Sequence, residues 1–211
     1  WFSSKKRLKP LIHLPSEEYQ YYQNLRQTGK GLLLLGAHFL TLEIAGRLFA
    51  LDHDLVIVYR EHRKPFINFL IAKNLKKNYA QAIPRHKVKK IITALKEGKV
   101  VWYAPDIDGG FSHHEFIPFF KIPAATLTSI VRLIEVSGAL CAPCFYYRRI
   151  DGTGYDFHIG KVLDPFPSGN MQKDLTKVNQ ILEEEIRVHP DQYLWVYKRF
   201  KTRPLGEPNL Y

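Results

Sequence analysis

His38 and Glu43 interrupt the apolar stretch LLLLGAHFLTLEIAGRLF, residues 32–49. An imidazole takes and returns a proton near neutral pH, and a carboxylate beside it holds one tautomer and stabilises the imidazolium. Removing a proton from a hydroxyl in this way contributes about 10²–10⁴ in rate. Five residues along one continuous helix turn the side chains roughly 140° apart, so the two cannot share a helical face. With His38 in a loop and Glu43 in the first turns of the helix that follows, the carboxylate reaches back to the ring. The plainer reading is a satisfied core histidine beside a solvated glutamate, and spacing alone leaves both open.

The elements needed to mount such a pair are legible around it. KGLLLLGAH reads as a short buried strand stopped at Gly36, and TLEIAGRLFALD follows with Leu42, Ala45, Leu48 and Phe49 at helical spacing. DLVIVYR is a second strand, and KPFINFLIAKNLKKN an amphipathic helix with Pro65 in its first turn. After the short AQAIPR segment, KVKKIITALKEG is a helix with a stop at Gly98, and KVVWYAPD a strand. This alternation predicts an α/β fold: a central, mostly parallel mixed sheet flanked by helices, with chemistry beyond the carboxyl ends of its strands. His38, Arg60 or Glu61, Arg85, Asp106 and Asp108 all fall on that rim. Further on, ATLTSIVRLIEVSGA reads as a helix, LCAPCFYYRRI and YDFHIGKVL as strands of antiparallel character, and KDLTKVNQILEEEIRVHP as a late helix. QYLWVYKRF is predicted as a short final helix with Trp195 inward.

A chain of 211 residues, 45% hydrophobic and 24% charged, supports one full domain. We divide it into a less regular, partly helical lead-in, residues 1–30, and a domain over residues 31–211. The net charge of +11 points to an acidic partner: an anionic membrane surface, an acidic protein, a phosphate-bearing substrate or nucleic acid. The aromatic residues do not alternate with Arg and Gly as an RNA-binding sheet requires, which argues against nucleic acid. Cys141 and Cys144 have CxxC spacing but sit in a β-branched and aromatic run rather than at a helix start, so they read as buried thiols, not a redox or zinc motif. No stretch has the roughly 18 apolar residues that span a bilayer. Because the chain begins at Trp1, an anchor upstream of it is expected.

GAHFLTLEIAGR, ALKEGKVVWYAPDIDGG, FIPFFKIPAATLTS and DQYLWVYKRFKTRPLGEPNLY, in this order, resemble the late acyltransferases of bacterial lipid A biosynthesis, the lauroyl, myristoyl and palmitoleoyl transferases. These belong to the wider group of glycerolipid acyltransferases with a histidine-acid pair, here HxxxxE. The resemblance implies a glycerolipid acyltransferase-like fold and transfer of a fatty acyl chain from an acyl carrier protein to a hydroxyl of a Kdo-bearing lipid A precursor. It places this activity at the cytoplasmic face of the bacterial inner membrane, with no cofactor beyond the acyl donor. Carried over, His38 is the general base and Glu43 its orienting partner, with no covalent acyl-enzyme. Arg85 sits where related acyltransferases place a phosphate-binding arginine, a task its planar fork suits, although a solvated basic face also accounts for it. Asp106, at an acidic position of the family, and Asp108 join Arg85 in the substrate-binding rim, organising its loop through hydrogen bonds and salt bridges to nearby arginines. A D-x-D pair can also hold a divalent cation, but no nucleotide-binding fingerprint accompanies it, and no metal is assigned.

Two departures stand out. Close relatives follow the two aspartates with Tyr-Gly, whereas this chain has Gly109-Gly110 and then FSHHEF. The usual N-terminal membrane helix is not seen, which leaves basic and apolar surface for membrane docking. Phe116, Phe119 and Phe120 either pack together or wall the acyl tunnel. The competing functions are a glycerophospholipid acyltransferase and a non-catalytic basic protein that binds membrane or nucleic acid.

Overall fold

In a computed structural model, residues 5–211 are described. The lead-in forms α1 (Lys5–Leu8), a 3-10 turn, β1 (Ile12–His13) and α2 (Ser16–Gln27). The alternating section follows as β2 (Leu32–Leu35), α3 (Leu42–Phe49), β3 (Leu55–Tyr59), α4 (Pro65–Asn78), β4 (Gln81–Pro84), α5 (Val88–Lys96) and β5 (Val100–Tyr103). The last section comprises β6 (His114–Phe119), β7 (Ile122–Leu127), α6 (Ser129–Ser137), β8 (Leu140–Arg148), β9 (Tyr155–Ile159) and α7 (Met171–Val188).

Seven strands make one sheet in the order β1-β9-β8-β2-β5-β3-β4, parallel except for the β8–β9 pair. The four leucines of β2 explain its central place. Leu33 and Leu35 enter the core beneath α5, α6 and α7, while Leu32 and Leu34 enter the second core beneath α2 and α3. A strand covered on both faces has no polar side to present, hence the unbroken apolar run. The same alternation settles the cysteines. Cys141 and Cys144 are three apart on β8, so their side chains point to opposite faces, one in each core. Burial pushes the Cys144 thiol up to about 12, with the Glu18 charge adding to it.

Gly98 ends α5 with φ of +75°, a conformation that favours glycine. Gly36 is required for a different reason: a Cβ there would lie 2.4 Å from the Trp102 indole nitrogen. The chain therefore leaves β2 tightly against β5, and the loop carrying His38 starts from that contact.

Two predicted elements are corrected. The helix expected from Ala125 begins only at Ser129, because Ile122–Leu127 pairs antiparallel with His114–Phe119 as a hairpin. Phe120 and Lys121, at φ of +49° and +66°, make its two-residue turn without any glycine to announce it. The final segment QYLWVYKRF forms turns rather than a helix, and Trp195 is 57% exposed. Its backbone groups are engaged elsewhere: the Leu194 N–H donates to the His38 carbonyl, the Leu40 N–H donates to the Gln192 carbonyl, and Phe39 bridges Tyr193. Hydrogen bonds that would have closed helical turns instead clamp the His38 loop.

Candidate active site

The rim expected from the alternation is present. His38 lies three residues past the end of β2, Arg60 directly follows β3, Arg85 follows β4, and Asp106 lies three residues past β5. The carboxylate on the imidazole is Asp106, not Glu43. Asp106 Oδ1 lies 2.6 Å from His38 Nδ1, and Oδ2 accepts from the His38 backbone N–H at 2.8 Å and from the Tyr193 hydroxyl at 3.0 Å. Glu43 occupies the first turn of α3 and is exposed, and among the described residues no hydrogen bond or ion pair joins it to His38. The reason lies in the loop's path. The His38 backbone and ring are both turned toward β5, so one buried carboxylate takes both donors, while α3 starts with its first turn facing outward.

Asp106 is fully buried, and burial by itself pushes a carboxyl up. The hydrogen bonds and charge of His38, with the Tyr193 hydroxyl, outweigh this and hold Asp106 below the usual carboxylate range. Burial, and then the Asp106 charge, pushes the Tyr193 hydroxyl well up, so it stays protonated and donates. With Nδ1 facing a carboxylate, neutral His38 carries its proton there and leaves Nε2 as an acceptor. The imidazole is further fixed edge-on between Tyr197, at 5.0 Å between ring centroids, and Trp102, at 6.3 Å.

Arg199 stands behind this pair and is also buried. Its guanidinium donates to the Ala125 carbonyl at 2.8 Å and to Thr126 Oγ1 at 2.7 Å, and its plane lies 5.2 Å from the Phe119 ring. Desolvation lowers its pKa, while Asp106, Tyr193 and Asp108 act in the opposite sense. Asp108 does not share a ligand position with Asp106. Its Oδ1 accepts from the Gly110 N–H and the Thr202 hydroxyl, and its Oδ2 from the Thr202 N–H. These are hydrogen bonds within the loop and to Thr202, and among the described residues no salt bridge joins Asp108 to an arginine. The two aspartates face different partners, and among the described residues no group of three His, Cys, Asp or Glu side chains is arranged to hold a metal.

In front of His38 opens a cleft of about 540 Å³, lined among others by Arg60, Arg85, Trp102, Tyr197, Lys198 and Lys201. The four cations are exposed, and among the described residues none of them has an ion pair. Such a cleft attracts an anion beside a base. Of the expected site residues, the structure brings His38, Arg85 and Asp108 to the cleft wall, sets Asp106 behind His38, and leaves Glu43 outside. Phe116, Phe119 and Phe120 do not line it; Phe119 is buried in the core against Phe120. Tyr193, Tyr197 and Lys198 lie in the segment whose pattern predicts a helix, and Lys201 directly follows it, so local spacing does not point to the cleft. The basic run KRFKTR was the one signal there.

Comparison with known proteins gives the family. Residues 1–202 match the family described as bacterial lipid A biosynthesis acyltransferase. The chain is 34% identical to the lipid A biosynthesis lauroyltransferase of Escherichia coli K12, with all of the chain and 69% of that protein aligned. It is 32% identical to the lipid A biosynthesis palmitoleoyltransferase of the same organism, covering 68% of it. A lipid A biosynthesis acyltransferase of Haemophilus influenzae is 33% identical, again over the whole chain and 68% of its own length. With the match spanning nearly the whole chain, this protein belongs to the bacterial lipid A biosynthesis acyltransferase family and is an acyltransferase.

Proposed function

We propose that the protein transfers a fatty acyl chain from the thioester of an acyl carrier protein to a hydroxyl of a Kdo-bearing lipid A precursor, at the cytoplasmic face of the bacterial inner membrane. The observation that carries this reading is the His38–Asp106 pair, 2.6 Å apart, with His38 at the wall of a cleft whose four cations have no ion pair among the described residues. Two of the relatives are a lauroyltransferase and a palmitoleoyltransferase of lipid A biosynthesis, which supports a fatty acyl group as the one transferred.

In this reading His38 Nε2 takes the proton of the acceptor hydroxyl as its oxygen attacks the thioester carbonyl. The new C–O bond forms, the C–S bond breaks, and the imidazolium returns its proton to the departing thiolate. Asp106, held ionised, stabilises the imidazolium and keeps the ring's tautomer, as the acid of a Ser-His-Asp triad does. Arg85, with Arg60, Lys198 and Lys201, binds the phosphate or carboxylate groups of the acceptor. Asp108 positions the Lys198–Lys201 wall through Thr202. No step requires a metal or an additional cofactor.

The test is acyl transfer from acyl-loaded carrier protein to a purified Kdo-bearing lipid A precursor, read by mass spectrometry. A product heavier by one acyl chain is expected. Transfer to a glycerophosphate acceptor instead, or to neither, overturns the assignment. Activity that is lost on chelation and returns with magnesium would revive the metal reading of Asp106 and Asp108.

A further inference from the structure

The helix α4 shows an unusual outer face. Phe66 is 70% exposed, Phe69 59% and Leu70 47%, and Leu75 is the one buried residue of the helix. At about 100° per residue, Phe66, Phe69, Leu70, Lys73, Lys76 and Lys77 fall within an arc of roughly 120° on the side opposite Leu75. The N-terminal half of this face is apolar and its C-terminal half is lysine. No Asp or Glu occurs between Glu61 and Glu97, so the helix and its flanks are uniformly cationic. The helix start is braced as well: the His62 N–H donates to Asn68 Oδ1 and the Lys64 N–H to His62 Nδ1.

We infer that this face of α4 docks on an anionic phospholipid surface, with Phe66, Phe69 and Leu70 entering the acyl boundary and Lys73, Lys76 and Lys77 at the headgroup phosphates. Contiguous large apolar side chains on one face of a helix mark an interaction surface. Lysines on the same face suit an interface, because their apolar stems lie along the acyl boundary while their ammonium groups reach the phosphates. The charge is complementary to an anionic leaflet, where each basic residue strengthens attachment. Arg60, on the cleft wall, is separated from α4 by four residues, so docking here sets the cleft beside the bilayer from which a lipid acceptor would enter. The inference deepens the proposed function and rests on it for the purpose of docking, although the face itself is independent of the chemistry.

The experiment is co-sedimentation of the 211-residue chain with vesicles of phosphatidylcholine, with and without phosphatidylglycerol. The triple variant Phe66→Ser, Phe69→Ser, Leu70→Ser should lower partitioning at least about tenfold on anionic vesicles. Lys73→Gln, Lys76→Gln, Lys77→Gln should lower it by about tenfold or more on anionic vesicles and leave the weak binding to neutral ones unchanged. Both variants should melt within a degree or so of the parent, since the replaced groups are exposed. Binding to anionic vesicles that neither variant weakens overturns the inference. So does loss of binding to an acidic carrier protein with vesicle binding intact, which would make the face a protein site. Vesicle binding that depends on both sets supports docking even if acyl transfer fails. Transfer to detergent-dispersed acceptor without any vesicle binding keeps the proposed function and removes the docking.

Discussion

Behind the His38 ring lie Asp106, Tyr193 and Arg199, all buried and hydrogen-bonded; in front of it Arg60, Arg85, Lys198 and Lys201 stand exposed, with no ion pair among the described residues. A buried polar group without partners costs about 1–3 kcal/mol, and the Asp106 carboxylate, the Tyr193 hydroxyl and both terminal guanidinium nitrogens of Arg199 each have a fixed partner and a fixed geometry. The cations in front pay little for lacking an ion pair, since water serves them, and they remain available to a ligand. The rear side is thus built for the reacting proton and the front for affinity. Changes behind the ring should act on kcat, and changes in front on KM.

The largest effect falls on the ring and its acid. His38→Ala should lower kcat by about 10⁴ or more while the protein stays folded. Activity within a few-fold of the parent would end the assignment of His38 as base. Asp106→Asn should cost up to about 10⁴ in kcat, since an amide cannot hold the same tautomer or stabilise the imidazolium. The same variant has a pH signature. Asp106 lies below the usual carboxylate range in the folded protein, so its stabilisation is complete above the unfolded value of about 4 and is lost as pH falls through the folded value. The parent's advantage in melting temperature over Asp106→Asn should therefore hold at neutral pH and shrink below about pH 4. An advantage constant with pH would show that the ionised carboxylate is not its source.

Tyr193→Phe removes one of the hydrogen bonds to a buried charge and leaves the others. We expect a stability loss of about 1.5–3 kcal/mol and a fall of about tenfold in kcat with KM unchanged. A change in KM alone would move Tyr193 from the rear side to the front.

Arg85→Ala should raise the acceptor KM by about tenfold or more with a smaller change in kcat, and Arg85→Lys should lie between it and the parent. If both lower kcat at saturating acceptor with KM unchanged, Arg85 acts on the transition state and the division between front and rear fails. The smallest effect is expected for Glu43→Gln, at least about tenfold milder than Asp106→Asn, because of these two carboxylates it is Asp106 that is hydrogen-bonded to the ring. Equal losses would show that Glu43 closes on the histidine when substrate is bound.

Local pattern carried the sequence reading as far as local forces act. The leucine run of β2, the helical spacing of α3 and α5, and the Gly98 stop are each written within about a dozen residues, and each formed where the pattern placed it. The Phe120–Lys121 turn was hidden because it uses two residues of ordinary type at positive φ. The final helix failed because its backbone donors and acceptors meet the His38 loop, a partner more than 150 positions away.

The sequence by itself determined that His38 stands at a strand-to-helix turn, that Arg85 and the two aspartates share its rim, and that the cysteines are buried in a strand. Periodicity and turn chemistry are enough for that. Which carboxylate touches the imidazole was decided only by the tertiary structure. Glu43 is five residues from His38 and Asp106 is 68, yet β2 and β5 run side by side in register, with Leu35 opposite Tyr103. Each strand is followed by three residues to its polar group, so the pairing of neighbouring strands, rather than closeness along the chain, brings the acid to the base.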